Sequence, residues 1–312
     1  MLTRSIWTTL VLSAAVMALS GGGCSSGGGG RGVPTGFTSF SAVVAGKDTV
    51  MEAETRVTDY TANTTTGQVT SIGATEMKSG TFTFALGSDF TKAILAIRPF
   101  PIAAPVITHS FDTADGDTII PGALLDPVAT GYYVAATAGE DELAVISDHN
   151  LMGFEYQSYG VWLNGIDVGM GIVAAMTAGA ATPALGVPKA GLALYNGSST
   201  GVYVDLAGEP FLAFADFSAA VSFDTLVMNV ASTGTQVLNA NTLLTSANGA
   251  LDYTGVGAVA PDGSFTTAIA ATNLAGTLDG KLYGPTAEEL GGTFAMSGPN
   301  GSYIGAVGAA AP

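Results

Sequence analysis

The chain has 312 residues, 47% of them hydrophobic and only 11% charged, with 43 glycines and a formal charge of −16. Such a composition supplies buried cores and excludes a wholly disordered chain, and the length suits two structural units. Twenty-five acidic residues against nine basic ones exclude nucleic-acid binding through a phosphate-neutralising patch, and adhesion to anionic lipid by a polybasic surface. The charge is unevenly placed. Seven of the bases (Arg4, Arg31, Lys47, Arg56, Lys78, Lys92 and Arg98) lie in the first 98 residues, whereas from Pro99 onward only Lys189 and Lys281 oppose nineteen acids. An acidic surface of this kind repels anions and keeps a protein dispersed.

At the N-terminus, Arg4 precedes about fifteen mostly apolar residues, Ser5–Leu19, followed by Ser20-Gly21-Gly22-Gly23 and Cys24. A bilayer span needs about 20 apolar residues, so the run predicts a signal peptide over residues 1–23 rather than an anchor. No later stretch is long and apolar enough to cross a bilayer as a helix. Cys24 is the single cysteine, so no intramolecular disulfide forms. Residues 24–36, beginning Cys24-Ser25-Ser26 and continuing through four glycines, have the composition of a flexible tether. A lone cysteine between a signal peptide and such a tether resembles bacterial lipoproteins, which implies lipid attachment at Cys24. The usual motif places Leu three residues before the cysteine; Gly21 stands there, and Leu19 lies five before. Cleavage after Ala18-Leu19-Ser20, leaving a free Cys24, is the other reading.

The body reads as all-β. Beyond residue 36 no window keeps helical apolar spacing, and short runs rich in Thr, Val, Tyr and Phe are punctuated by Gly, Asn, Asp and Pro. Thr81-Phe82-Thr83-Phe84-Ala85-Leu86 alternates with period 2, the pattern of a strand with one buried face. Pro99–Pro127, with five prolines, reads as irregular connection. Further strands are predicted at 131–136, 156–163, 169–176, 190–195, 201–206, 211–217, 221–230, 251–260, 264–271, 276–283, 292–296 and 302–307. Asn196-Gly197, Asp262-Gly263 and Asn300-Gly301 fit tight hairpin turns. A β-rich domain over 37–155 is therefore expected, followed over 156–312 by an antiparallel barrel of about eight strands.

Motifs for catalysis and metals fail on spacing. Gly197-Ser198-Ser199-Thr200-Gly201 matches Gly-x-Ser-x-Gly, but a strand rather than a helix follows and no histidine lies beyond His149, so a nucleophile elbow is excluded. Gly169-Met170-Gly171 lacks the third glycine of a dinucleotide fingerprint, and Gly280-Lys281 lacks the phosphate-loop spacing. Asp112, Asp115 and Asp117 miss the calcium-loop pattern and read as a solvated turn, as does Glu140-Asp141-Glu142. His109 and His149 are too few for a histidine metal cluster, so no metal site is expected; each is a candidate axial haem ligand.

Tyr283 followed by Gly284-Pro285-Thr286-Ala287-Glu288-Glu289-Leu290-Gly291-Gly292-Thr293-Phe294 resembles the barrel signature of the transferrin-binding protein B family. The ending Tyr303–Ala309 is similar to that family's terminal strand. Tyr159-Gly160-Val161-Trp162 and Gly191–Gly197 resemble its recurring barrel-strand motifs, so the likeness spans about residues 156–309. From its residues alone the signature is a rigid corner. Thr286 and Glu289 have capping-box spacing, Pro285 fixes φ, and Gly291-Gly292 is a helix stop with Gly291 left-handed. Direct ligand contact by Glu288 and Glu289 is the alternative.

The resemblance implies a non-enzymatic, lipid-anchored outer-membrane protein, surface-exposed or else periplasmic, in which residues 37–155 form a handle-like β domain ahead of the barrel. It further implies binding of a solute, a protein or a haem- or iron-containing ligand, together with an outer-membrane transporter. An adhesin or unrelated binding module of the same fold, and an enzyme of unknown class, are the alternatives. No resident cofactor is expected.

Overall fold

A computed structural model describes residues 35–86, 90–97, 107–139, 141–165 and 168–312. The signal segment, Cys24 and the tether as far as residue 34 lie outside them. The protein is all-β, in two sheets. The first contains β1 (Thr35–Gly36), β2 (Thr49–Ala62), β3 (Val69–Ile72), β4 (Glu76–Leu86), β5 (Phe90–Ile97), β6 (Ile107–Asp112), β7 (Thr118–Pro121), β8 (Tyr132–Ala136), β9 (Leu143–Ser147), β10 (Gln157–Leu163) and β11 (Met170–Gly179). One four-residue helix, α1 (His149–Met152), is capped by Asp148 between β9 and β10.

The strand order is β6-β5-β4-β2-β11-β10-β9-β8-β7, with β1 and β3 both paired to β2. Alternation in β4 places Phe82 and Phe84 inward at 0% exposure, among Phe90, Phe111 and Trp162. The predicted strand at 81–86 is thus the inner half of a longer one. Its core is closed by these aromatic rings, which pack edge-on and stacked.

The second sheet contains β12 (Leu192–Val204), β13 (Pro210–Ser222), β14 (Val227–Asn239), β15 (Thr245–Ala247), β16 (Thr254–Val259), β17 (Ser264–Ala271), β18 (Leu274–Tyr283), β19 (Glu289–Gly298) and β20 (Gly301–Ala310). Its order is β13-β12-β20-β19-β18-β17-β16-β14-β15, and β13 also pairs with β14. That last ladder closes eight strands into an antiparallel barrel, leaving β15 outside the ring. The interior is filled, with Phe217, Tyr253, Phe265, Leu278, Phe294 and Tyr303 among the buried side chains. Among the described residues no helix is long and apolar enough to cross a membrane.

Several local expectations are corrected. The barrel begins at Leu192, not near residue 156, because β10 and β11 belong to the first sheet. There β11 pairs with β2 from Met170↔Thr61 to Gly179↔Glu52, a ladder whose partner lies over a hundred residues upstream. Local alternation cannot reveal which sheet claims a strand. Asn196-Gly197 is not a turn: 190–195 and 201–206 fuse into β12, and a Cβ on Gly197 would come within 2.0 Å of the Gly308 carbonyl oxygen on β20. This glycine serves close strand approach. The run 221–230 breaks between β13 and β14, with Leu226 at φ 55°. Pro99–Pro127 also carries strand, in β6 and β7. By contrast, Gly263 (φ 83°) and Gly301 (φ 121°) do occupy the predicted turns.

Candidate functional site

The two sheets pack against each other through a shared apolar cluster. Tyr132, Phe154 and Tyr159 of the first unit meet Val202, Phe214 and Ile304 of the barrel. The chain crosses from one to the other alongside β18, where Thr182 N–H donates to the Leu282 carbonyl (2.9 Å) and Gly284 N–H to that of Ala180 (2.9 Å).

The Gly284–Gly292 signature sits at this junction. No helical turn forms, so the expected capping box is corrected. Thr286 instead donates its N–H (2.8 Å) and hydroxyl (2.6 Å) to the Glu288 carboxylate, in an exposed turn. Glu289 begins β19 and reaches the first unit, accepting from Glu155 N–H (2.6 Å) and Tyr156 N–H (3.1 Å). Its residue is 3% exposed. Burial pushes its carboxyl up to about 7, outweighing the backbone donors that favour the charged form.

Gly291 is not left-handed either. It lies inside β19; the left-handed residues of this corner are Gly284 (φ 86°) and Ala287 (φ 67°). An extended strand, not a helix stop, follows Leu290 because β19 is held on both sides, by β18 and by β20. Glycine is needed at 291 for space. A Cβ would fall 2.1 Å from Gln157 Oε1 and 2.4 Å from Thr177 Oγ1. Gln157 in turn donates from Nε2 to the carbonyls of Leu290 (2.6 Å) and Ala309 (3.2 Å), which ties β10 to the barrel. The signature is a joint between sheets.

Beside the joint, the sheets diverge into a cleft of about 550 Å³. Period-2 alternation along β2 turns Arg56, Thr58, Tyr60 and Ala62 toward it, a six-residue step that makes one wall about 20 Å long. Val69, Ile72, Leu163 and Val173 complete that side. The barrel's outer face forms the other wall in two cross-strand rows. Register aligns Thr277, Ala295, Ile304 and Val202 in one row, and Ala275, Ser297, Ser302 and Val204 in the next. These rows carry no charge.

Arg56, 7% exposed, is the charged group of the lining. Its guanidinium pairs with Asp279 and donates to Thr277 Oγ1 (3.2 Å), while Nε is buried without a partner. Burial lowers the Arg56 pKa, and Asp279 opposes that effect. Asp279 is further held by the hydroxyls of Thr266 (2.7 Å) and Thr277 (3.0 Å). Tyr60 donates to the Asn164 carbonyl (2.8 Å), and burial raises its pKa, helped by Asp141. Asp279→Asn is expected to lower stability by about 2 kcal/mol in chemical denaturation, below the usual cost of orphaning a fully buried partner because Asp279 keeps a quarter of its surface in water. Lys281→Ala, which removes a pair with Glu54 whose side chains are about a third exposed, should change it by about 0.5 kcal/mol or less.

The residues singled out in the sequence lie elsewhere. His109 is fully buried with Glu142 Oε2 3.4 Å from Nδ1. His149 stacks on Phe40 with ring centroids 3.8 Å apart, and burial lowers its pKa. Neither lines the cleft. Asp112 and Asp117 cap backbone N–H groups of Ala114 and Ala138, as a solvated turn does. Ser198 shares a hydrogen bond with Tyr159 (2.6 Å) and Ser199 is buried beside the hydroxyls of Tyr253 and Tyr303, so neither serine meets a base. Among the described residues no group of three or more His, Cys, Asp or Glu is placed to hold a metal. Arg56 and its cleft neighbours escape sequence reading; the alternation Arg56-Thr58-Tyr60-Ala62 marks one face of a strand, but nothing local points to what it faces.

No family model matches the chain, and no curated protein matches it. Among solved structures, a point mutant of transferrin-binding protein B from Haemophilus parasuis is 13% identical, with TM-score 0.42 over 85% of this chain and 76% of that one. The N-lobe of lactoferrin-binding protein B of Moraxella bovis is 14% identical, with TM-score 0.36 over 54% of this chain and 79% of that one. A structure described as a surface lipoprotein is 13% identical, with TM-score 0.43 over 83% of this chain and 98% of that one. Each likeness is one of architecture.

Proposed function

We propose that the protein is a non-enzymatic binding module of the cell envelope, tethered through Cys24, that takes its ligand in the cleft between the two sheets. The cleft itself carries this reading: about 550 Å³ with mostly apolar walls, within the usual range of ligand sites. Among the described residues, both sheet interiors are packed with buried side chains. None of the polar groups at the cleft forms a nucleophile–base pair. His109 and His149 have no part in it.

The test is the mass of whatever co-purifies with the protein from gently extracted envelopes. Wild type is expected to carry a bound species that Ala295→Trp, which fills the cleft from the outer face of β19, fails to retain. Equal loading of the two proteins would remove the cleft from the function. For the anchor, the expected result is that wild type partitions into detergent-extractable membranes and Cys24→Ala into the soluble fraction. An unchanged distribution would leave cleavage after Ser20 as the reading.

A second reading is favoured by the signature at Gly284–Gly292 and its resemblance to the transferrin-binding protein B barrel. Under it the chain captures a protein, or a haem- or iron-carrying ligand, on its outer surface and passes it to an outer-membrane transporter. Co-isolation of such a transporter with the wild-type chain, retained by Ala295→Trp, would favour this second reading.

A further inference from the structure

We infer that the cleft takes an uncharged amphiphile: an aliphatic chain lying between the sheets, with one neutral hydrogen-bond acceptor beside Arg56. This rests on the cleft being the ligand site and adds the chemistry of the ligand.

The shape comes first. The lining along β2 runs about 20 Å from Arg56 to Ala62, which gives the cleft one extended wall. Opposite it, Ala295, Ile304 and Val202 stand in one cross-strand row of the barrel, and Ala275 and Val204 in the next. Small and branched apolar side chains on both sides suit an extended hydrocarbon, whose transfer from water contributes about 0.8 kcal/mol per buried methylene.

Charge then selects the head. Arg56 is already neutralised by Asp279, and Asp279 is itself held by two threonine hydroxyls. An anionic head would add an uncompensated negative charge beside that neutral pair, on a protein of net charge −16. A cationic head would meet the Arg56 guanidinium at close range. A neutral acceptor has neither cost. Arg56, a residue of the lining, also carries a donor without a partner: its Nε is buried with none, and a buried N–H left unpaired is costly. An ester, hydroxyl or amide oxygen satisfies it without disturbing the Asp279 contact.

The experiment uses the full mature chain and the apolar fluorophore N-phenylnaphthylamine, with monooleoylglycerol and oleate as competitors, each below its aggregation concentration. Wild type is expected to take up the fluorophore saturably. Monooleoylglycerol should displace it at a concentration at least tenfold lower than oleate. Ala295→Trp should weaken uptake and displacement at least tenfold with an unchanged melting temperature; Thr58→Trp, from the opposite wall, serves if that variant fails to fold. Oleate competing as well as monooleoylglycerol, with uptake still lost in the tryptophan variants, would overturn the neutral-ligand inference and leave the cleft as the binding site. No saturable uptake by wild type, or uptake indifferent to both substitutions, would overturn the cleft reading as well.

Discussion

Gly291→Ala is expected to lower the stability of the protein by about 3 kcal/mol, the sum of overpacking a closed site and weakening the two hydrogen bonds of Gln157. The cause is contact, not backbone strain. Gly291 is not among the residues at positive φ, so alanine there meets no conformational penalty of the left-handed kind. Its methyl group would instead fall 2.1 Å from Gln157 Oε1 and 2.4 Å from Thr177 Oγ1, with the Tyr283 ring 3.1 Å away. None of the three yields freely. Gln157 is held by the carbonyls of Leu290 and Ala309, and Thr177 shares a hydrogen bond with Tyr283 (3.1 Å). A double-mutant cycle measured by urea denaturation checks the mechanism. Gln157→Ala makes room for the methyl group, so Gly291→Ala combined with Gln157→Ala should cost about 1–2 kcal/mol less than the two single losses added. Strict additivity would move the clash from Gln157 to Thr177 and Tyr283.

The second large effect is one of pH. Glu289 has a folded pKa of about 7 against an ordinary 4.5, raised because its carboxyl is buried at the joint. Folding therefore favours its protonated form. That contribution to stability is fully present below pH 4.5 and is lost as the pH rises toward 7, by about 3 kcal/mol in all. Glu155, whose N–H bonds to Glu289, also adds a neighbouring negative charge that works in the same direction. His149 acts oppositely. Burial lowers its pKa, so its contribution is present above pH 6.5 and is lost as the pH falls. Comparison with Glu289→Gln separates the two, since the amide oxygen still accepts from the Glu155 and Tyr156 N–H groups but does not titrate. Unfolding free energies from pH 4.5 to 8 should show wild type losing about 3 kcal/mol relative to Glu289→Gln. Parallel curves would mean that Glu289 does not titrate in this window. Glu289→Ala should be destabilised at every pH, by about 2–3 kcal/mol, because two N–H groups lose their acceptor.

Much of the architecture is legible in the chain itself. Alternation such as Thr81-Phe82-Thr83-Phe84, the density of turn residues and the absence of helical spacing establish an all-β protein, because side-chain direction in a strand is a local, period-2 property. The barrel and the turns at Asp262-Gly263 and Asn300-Gly301 follow from the same local chemistry. The corner at Gly284–Gly292 is also recognisable as structural, though its mechanism is not. A capping box and a left-handed Gly291 are what those residues would form alone; held between β18 and β20, with β10 pressed against them, they form a strand and an intersheet joint instead.

The cleft is the part that only tertiary structure decides. Its walls are drawn from β2 and from barrel strands more than a hundred residues later, and Arg56 meets Asp279 across 223 positions of sequence. Nothing in either neighbourhood names the other. Composition, alternation and turn residues determine that the chain makes strands and roughly where they lie. Which sheet claims β10 and β11, why position 291 admits no methyl group, and where two packed sheets leave room for a ligand depend on ladder partners and packing between distant segments. Those contacts exist only once the chain has closed on itself.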